Sequence, residues 1–343
     1  MEMKTAVVIF GANGFLGRYL CRHFARQGRE VVAIGRHRDG WSGDGMFLEW
    51  DGRTPGPWVL ALEGAGLVIN LAGRSVNCRY DEANRREIME SRVAATRVIG
   101  EAIAKCELPP QVWMNAGTAT WYRHAEDCAQ GEWRGEPGEG FSVNVARKWE
   151  EAFFAAKVPG RTRKLALRIG MVLANERDTV FNVLGGLVRR GLGGRMGSGA
   201  QRMSWIHMDD FLAIVSRLEA DPMADGVYNL TAPHAPTNSE MMRSYREMIG
   251  VPIGLPAATW MLRVGAFLMK TERELVLKSR WVEPRRLLDE GFSWRWPDIG
   301  PALSDLASRP GLDGFFHVPE RRAVGARVWT TSRGFRTAGV QVP

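Results

Sequence analysis

Three glycines in Gly11-Ala12-Asn13-Gly14-Phe15-Leu16-Gly17 carry the clearest chemical signal in the chain. They follow the apolar run Ala6-Val7-Val8-Ile9-Phe10 and precede a segment in which Leu16, Leu20 and Phe24 recur at helical spacing. An apolar run of that length bounded by glycine reads as a buried parallel strand, and the recurring apolar residues as the inner face of a helix. The glycines therefore sit on a strand-to-helix turn. There a missing Cβ lets the backbone approach a pyrophosphate, and the helix N-terminus offers unpaired N–H groups and the positive end of its dipole. An ordinary glycine-rich turn would share this spacing. The strand before, the helix after and a second strand at Glu30-Val31-Val32-Ala33-Ile34 favour a dinucleotide site built from Gly11, Asn13, Gly14, Phe15, Leu16 and Gly17.

The second strand ends in Gly35-Arg36-His37-Arg38, with no acid before Asp39. A carboxylate here would bind the ribose hydroxyls of NAD, whereas an arginine accommodates the 2′-phosphate of NADP. Arg36 and Arg38 therefore predict NADP(H) over NAD(H), the alternative being exposed arginines on a loop. Asp51, ending a candidate third strand Met46–Asp51, is placed to reach an adenine amino group. Leu71, Ala72 and Gly73 end the next apolar run, Leu67–Gly73, where small residues let a cofactor lie close.

Further along, strands and helices alternate. A helix is predicted over 81–105, stopped by Pro109-Pro110, then a strand over 111–115 leading into Ala116-Gly117-Thr118. An acidic, Gly-rich loop over 126–140 precedes a helix carrying Val145, Trp149, Phe153 and Phe154, and Lys164–Leu173 reads as one inner strand. Such alternation implies an α/β fold with a doubly wound parallel sheet. Beyond Ala174 the pattern predicts a helix over 180–190, a loop over 191–201, a helix introduced by 204–210 with Asp209 or Asp210 as its cap, and a strand over 226–230. A helix capped by Thr237 or Asn238 and a mostly helical segment over 252–309 follow.

Composition sets limits. With 343 residues, 45% of them hydrophobic, the chain can bury a sizeable core as one large or two modest domains. The formal charge of +8 could favour phosphorylated ligands, nucleic acid or an anionic surface, but the basic residues are scattered and form no long run. Cys21, Cys78, Cys106 and Cys128 lack Cys-x-x-Cys or Cys/His zinc spacing, so no metal site is expected and reduced cysteines in a cytoplasmic protein are. The start reads as the first strand rather than a signal peptide. The apolar segment around Trp260–Met269 contains Arg263 and is too short for a bilayer. The partners expected are a small-molecule substrate and, for a monomer or homodimer, a second copy; neither nucleic acid nor membrane is expected.

Several separately placed motifs resemble one family, the extended short-chain dehydrogenase/reductases, and within it the sugar-nucleotide-epimerase-like branch with a C-terminal domain of unknown function. They are GANGFLG, Ile69-Asn70-Leu71-Ala72-Gly73, Glu90-Ser91-Arg92-Val93 with Thr96, Lys148-Trp149-Glu150, Leu167–Leu173, Gly197-Ser198-Gly199 with Gln201, and Ser204–Asp210. Pro284–Trp296 is similar to the C-terminal domain. The resemblance covers roughly nine-tenths of the chain, all but the part after about Pro310. It implies a Rossmann domain over 1–178 with a returning segment 204–232, a smaller, mostly helical substrate-covering region over 179–203 and 233–310, and an extension or tail over 311–343.

Typical members of that family orient the substrate oxygen with a Ser or Thr and move the proton with a Tyr, whose pKa a Lys four residues on lowers. Here Ser142 and Ala146 stand where that Tyr and Lys belong, and no tyrosine has a lysine four residues later. The resemblance places Thr118 at the orienting hydroxyl. Tyr122, four residues on along an extended strand end, would face the same side and supply or organise the proton with Arg123 or His124. Alternatively Thr118 and Thr120 are ordinary strand residues and Tyr122 a half-buried wall. Arg168, Gln201, Arg202, Trp205 and His207 are the candidate substrate contacts, with a solvent-facing arginine and a satisfied helix-entry histidine as the alternatives for Arg202 and His207. Arg92 reads as structural. The function implied is an NADP(H)-dependent oxidoreductase or epimerase acting on a small hydroxyl or carbonyl compound, nucleotide-sugar-like molecules included. The alternative is a catalytically silent NADP(H)-binding regulatory protein.

Overall fold

A computed structural model of the chain describes residues 5–38, 41, 43, 45–257 and 278–309. Strands β1 (Val7–Phe10), β2 (Val31–Gly35) and β4 (Leu67–Asn70) are buried at every position, which is why they are apolar runs, broken only by Asn70 at the end of β4, rather than alternating. With β3 (Met46–Glu49), β5 (Val112–Thr118), β6 (Arg163–Ile169) and β9 (Gly226–Leu230) they form a seven-stranded sheet in the order β3-β2-β1-β4-β5-β6-β9. Every pairing in it is parallel.

Successive residues of a strand feed opposite faces. Val7 and Ile9 pack with Leu20 and Phe24 of helix α1 (Phe15–Arg26), while Val8 and Phe10 pack with Trp50, Trp58 and Ile99 on the other side. Helices α2 (Glu82–Ala104) and α3 (Phe141–Ala155) cover that second face, and α5 (Met208–Ala220) lies beside α1. Asp81 caps α2 by accepting the Asn84 N–H. The chain runs outward from β1 in both directions, so a crevice opens between the carboxyl ends of β1 and β4, where ligands bind in sheets of this kind.

The continuous strand expected over Lys164–Leu173 is two strands. Gly170 N still donates to Leu230 O of the main sheet, but Met171 N donates to Ser204 O, and β7 (Met171–Leu173) pairs with β8 (Trp205–His207) in a separate parallel ribbon. The switch falls at glycine because a Cβ there would lie 2.8 Å from Thr231 Cγ2. Beyond the ribbon, α4 (Val180–Arg189), α6 (Asn238–Ile249) and α8 (Ile299–Ser308) close a core of Phe181, Trp205, Met241, Tyr245 and Leu303, with the short α7 (Arg285–Asp289) set against β9. Helix α6 opens with a reciprocal capping box between Thr237 and Glu240. Within 252–309, the described helices are α7 and α8; residues 258–277, including most of the apolar segment around Trp260–Met269, and the expected tail over 311–343 lie outside the described residues. Among the described residues no helix is long and apolar enough to cross a membrane.

Candidate dinucleotide site and the adjoining cleft

The Gly11–Gly17 turn has the shape a diphosphate requires. Gly11 has φ +80°, and a Cβ on it would lie 2.9 Å from the Leu71 carbonyl carbon and oxygen. A Cβ on Gly17 would strike Gly11 O and come within 2.7 Å of Ala12 Cα, so glycine lets the first turn of α1 sit directly on the loop. Gly14 is the N-cap of α1, and no side chain caps the helix. The N–H groups of Phe15, Leu16 and Gly17 in that first turn have no carbonyl of their own helix to bond.

Gly11, Gly14 and Leu71 border two cavities. One, of about 480 Å³, is bounded by Gly35, Arg36, Trp50, Asp51, Ala72 and Gly73. Arg36 is exposed at its rim. Asp51 accepts bonds from the Arg53 and Thr54 N–H groups at 2.8 and 2.9 Å and from Thr54 Oγ1 at 2.7 Å; these, the Thr54 backbone first, lower its pKa and keep it anionic. Arg38 is exposed but does not line this cavity, and its N–H donates to Glu49 Oε1. Asn13 braces the turn to the end of β2: Nδ2 donates to His37 O at 3.2 Å, and Oδ1, packed against Gly35, is buried without a partner. A cradle that Cβ atoms would fill, an uncapped helix N-terminus and an orphaned acceptor together fit a dinucleotide.

Leu71–Gly73 is held by a buried polar knot. Asn70 Oδ1 accepts the Ala72 N–H, while Asn70 Nδ2 donates to Asn115 Oδ1 at 2.7 Å and to Thr96 Oγ1 at 3.1 Å; Trp149 Nε1 also donates to Thr96 Oγ1, at 2.9 Å. Four elements are thereby locked behind the crevice. Sequence reasoning gave Asn70, Thr96 and Trp149 no role of this kind, although amide residues at the ends of apolar strands were the available signal.

The second cavity, about 750 Å³, holds Thr118, Thr120, Tyr80, Arg92, Ser142 and Ala146 along its walls. Thr118 ends β5, and its Oγ1 accepts the Thr120 N–H at 3.1 Å, leaving the hydroxyl proton to be donated elsewhere. Ser142 and Ala146 line this same space.

Tyr122 does not. A 3-10 turn over Ala119–Trp121 follows β5 and breaks the two-residue alternation that would have set Tyr122 beside Thr118. The ring is fully buried; its hydroxyl donates to Asn229 Oδ1 at 2.9 Å and accepts from Arg168 Nη1 at 2.9 Å. Burial raises the phenol's pKa despite the opposing Arg168 charge. Arg168 is likewise committed inside, with Nε and Nη2 on Glu150 at 2.9 and 2.6 Å and its guanidinium 3.6 Å over the Trp121 ring.

The other expected substrate contacts also lie outside the cleft. Gln201 is buried with Nε2 on Met196 O, Trp205 is buried with Nε1 on His234 O, and Arg202 bonds Ala235 O and lies over Trp281. His207, rather than Asp209 or Asp210, caps α5: its Nδ1 accepts the Asp209 N–H at 3.0 Å. Asp210 instead accepts the N–H groups of Arg295 and Trp296. Burial pushes His207 down to about 4. His207, Asp209 and Asp305 bring ligand-type atoms within 4.8 Å of one another, and Arg309 supplies the positive charge there, at 2.7 Å from Asp209 Oδ2 and 2.8 Å from Asp305 Oδ2.

The sequence model of the NAD-dependent epimerase/dehydratase family matches residues 7–231. The chain belongs to that family. A second model, a domain of unknown function designated DUF1731, matches residues 257–306. The family member "epimerase family protein SDR39U1" of Bos taurus is 31% identical over 309 residues, covering 88% of this chain and 99% of its own length. A crystal structure of human epimerase family protein SDR39U1 with NADPH superposes with a TM-score of 0.77 at 28% identity, covering 89% of this chain and 99% of that one. The nucleoside-diphosphate sugar epimerase of Corynebacterium glutamicum superposes at 0.69 with 26% identity, covering 92% and 59%.

Proposed function

We propose that this member of the epimerase/dehydratase family is an NADP(H)-dependent oxidoreductase or epimerase acting on a small hydroxyl or carbonyl compound. The observation that carries this is the shared space: the Gly11–Gly17 turn, Thr118, Ser142 and Ala146 border one cavity of about 750 Å³. The human relative crystallised with NADPH and the exposed Arg36 at the neighbouring rim support NADP(H) over NAD(H). When bound, the nicotinamide supplies hydride chemistry. The chain's own share is positional. Amides of the first turn of α1 hold the diphosphate, Arg36 meets the 2′-phosphate, Asn13 keeps the turn against β2, and Thr118, oriented by the Thr120 N–H, donates a hydrogen bond to the substrate oxygen. Thr179 and Val180, which line the same cavity, belong to the region that would cover the substrate.

A second possibility, a catalytically silent NADP(H)-binding regulator, is favoured by one observation: Tyr122 is sealed inside, with no exposure to solvent. Following NADPH or NADP absorbance with a panel of hydroxyl and carbonyl compounds, nucleotide sugars included, separates the two. The enzyme is expected to turn over at least one, and Thr118→Val to slow it by about a hundredfold while leaving NADPH affinity unchanged. Tight NADPH binding with no turnover anywhere in the panel would establish the regulator instead.

A further inference from the structure

Arg92, on α2, brings a positive charge into the cleft that Thr118 and Ser142 line. Its guanidinium packs beside Gly73, where a Cβ would lie 3.0 Å from Cζ, and 5.2 Å from the Trp149 ring centre. Among the described residues one hydrogen bond holds it, Nη1 to Ile88 O at 2.9 Å. A guanidinium carries five N–H donors, so most of this one's capacity is unused. Around the crevice Arg18 is paired with Glu176 at 2.9 Å, Arg74 with Glu87, and Arg168 behind it with Glu150, whereas Arg36 is exposed at the rim of the neighbouring cavity. Among the described residues no carboxylate lies within ion-pair distance of Arg92. Desolvation pulls its pKa down to about 10, and the titratable group that bears on it is the phenol of Tyr80, on the same wall. A half-buried cation without a counter-ion is costly unless something anionic joins it.

The diphosphate of a dinucleotide already has the amides of the Gly11–Gly17 turn, and Arg92 does not line the cavity toward Arg36. We propose that Arg92 receives an oxyanion of the substrate, so that the substrate class is a small hydroxyl or carbonyl compound bearing a carboxylate or phosphate. This rests on the function proposed above, because it takes the coenzyme to occupy the neighbouring space. The guanidinium fork matches either group bidentately, and it shares the cavity that Thr118 lines.

The test uses the full chain saturated with NADPH, with malonate and inorganic phosphate as probes read by the change in NADPH fluorescence. Wild type is expected to bind at least one saturably. Arg92→Gln should weaken that probe by about ten- to a hundredfold while NADPH affinity stays within about twofold. Arg92→Lys, which keeps charge but not the fork, should fall between, and decides the matter if the Gln variant does not fold. Failure of both probes to bind loaded wild type, or equal affinity in wild type and variants, overturns the proposal. A loss of NADPH affinity matching the loss of probe overturns it too, since the charge would then serve the coenzyme. If wild type does not bind NADPH at all, the function proposed above fails first, and the Arg92 assignment falls with it.

Discussion

Replacing Tyr122 with Phe separates a structural tyrosine from a catalytic one. The ring can stay, with its packing against Trp121 at 5.1 Å and beneath Arg168 at 4.9 Å. What goes is the hydroxyl, which links Arg168 Nη1 to Asn229 Oδ1. Asn229 is tied onward, N–H to Glu132 Oε1 at 2.8 Å and Nδ2 to Glu283 O at 2.9 Å, and Arg168 onward to Glu150, so neither partner can swing away to find another bond. Arg168 is only 5% exposed, and water cannot readily replace the lost acceptor. An unsatisfied buried donor on a charged group costs about 1–3 kcal/mol. At about 2–4 °C per kcal/mol for a large domain, the melting temperature should fall by several degrees. Differential scanning calorimetry gives that number, and fluorescence titration of NADPH should show affinity unchanged within about twofold. A variant that melts like wild type yet loses turnover would refute the assignment and return Tyr122 to the chemistry.

Gly17→Ala should lower NADPH affinity by at least about tenfold, because its Cβ meets Gly11 O and Ala12 and pushes the uncapped turn of α1 off the loop; titration with affinity unchanged would show that the helix can shift. Acidification should destabilise the fold through His207. Its pKa is about 4 when folded against an ordinary 6.5, so between those values the unfolded chain holds the extra proton, and stability present above pH 6.5 is lost as pH falls toward 4, on the order of 3 kcal/mol in all. Asp209, Asp305 and Arg309 face the ring, and the backbone bond to Nδ1 requires the neutral form. Urea midpoints measured from pH 7 to pH 4 should fall, and His207→Asn, which still caps α5, should flatten that slope; an equal slope would place the acid sensitivity elsewhere.

Much of the architecture was legible because doubly buried parallel strands are near-continuous apolar runs, as in β1, β2 and β4 up to its terminal Asn70. The same logic misled at Gly170: an unbroken apolar run does not say that its backbone changes sheets, which depends on the crowding of Thr231 and Ser204. Thr118 was assigned to the strand end it occupies, but carrying the strand's alternation forward to Tyr122 ignored the 3-10 turn that a Thr118 side chain caps at Thr120 N. Arg168, Trp205 and His207 carry polar groups that satisfy partners tens of residues away, and such pairings leave no trace in local spacing. Arg92 was the reverse case. It reads as structural, yet among the described residues its neighbours in space give it no counter-charge.

The central claim is that the Gly11–Gly17 turn and Arg36 hold NADP(H). Isothermal titration of the folded chain with NADPH and NADH, repeated on Arg36→Ala, tests it directly. The account predicts saturable NADPH binding, weaker NADH binding, and a loss in the variant of about tenfold or more for NADPH with little change for NADH, since a phosphate–arginine pair contributes about 1.5–3 kcal/mol. No heat with either nucleotide would contradict the site itself, and equal losses for both would contradict the role of Arg36.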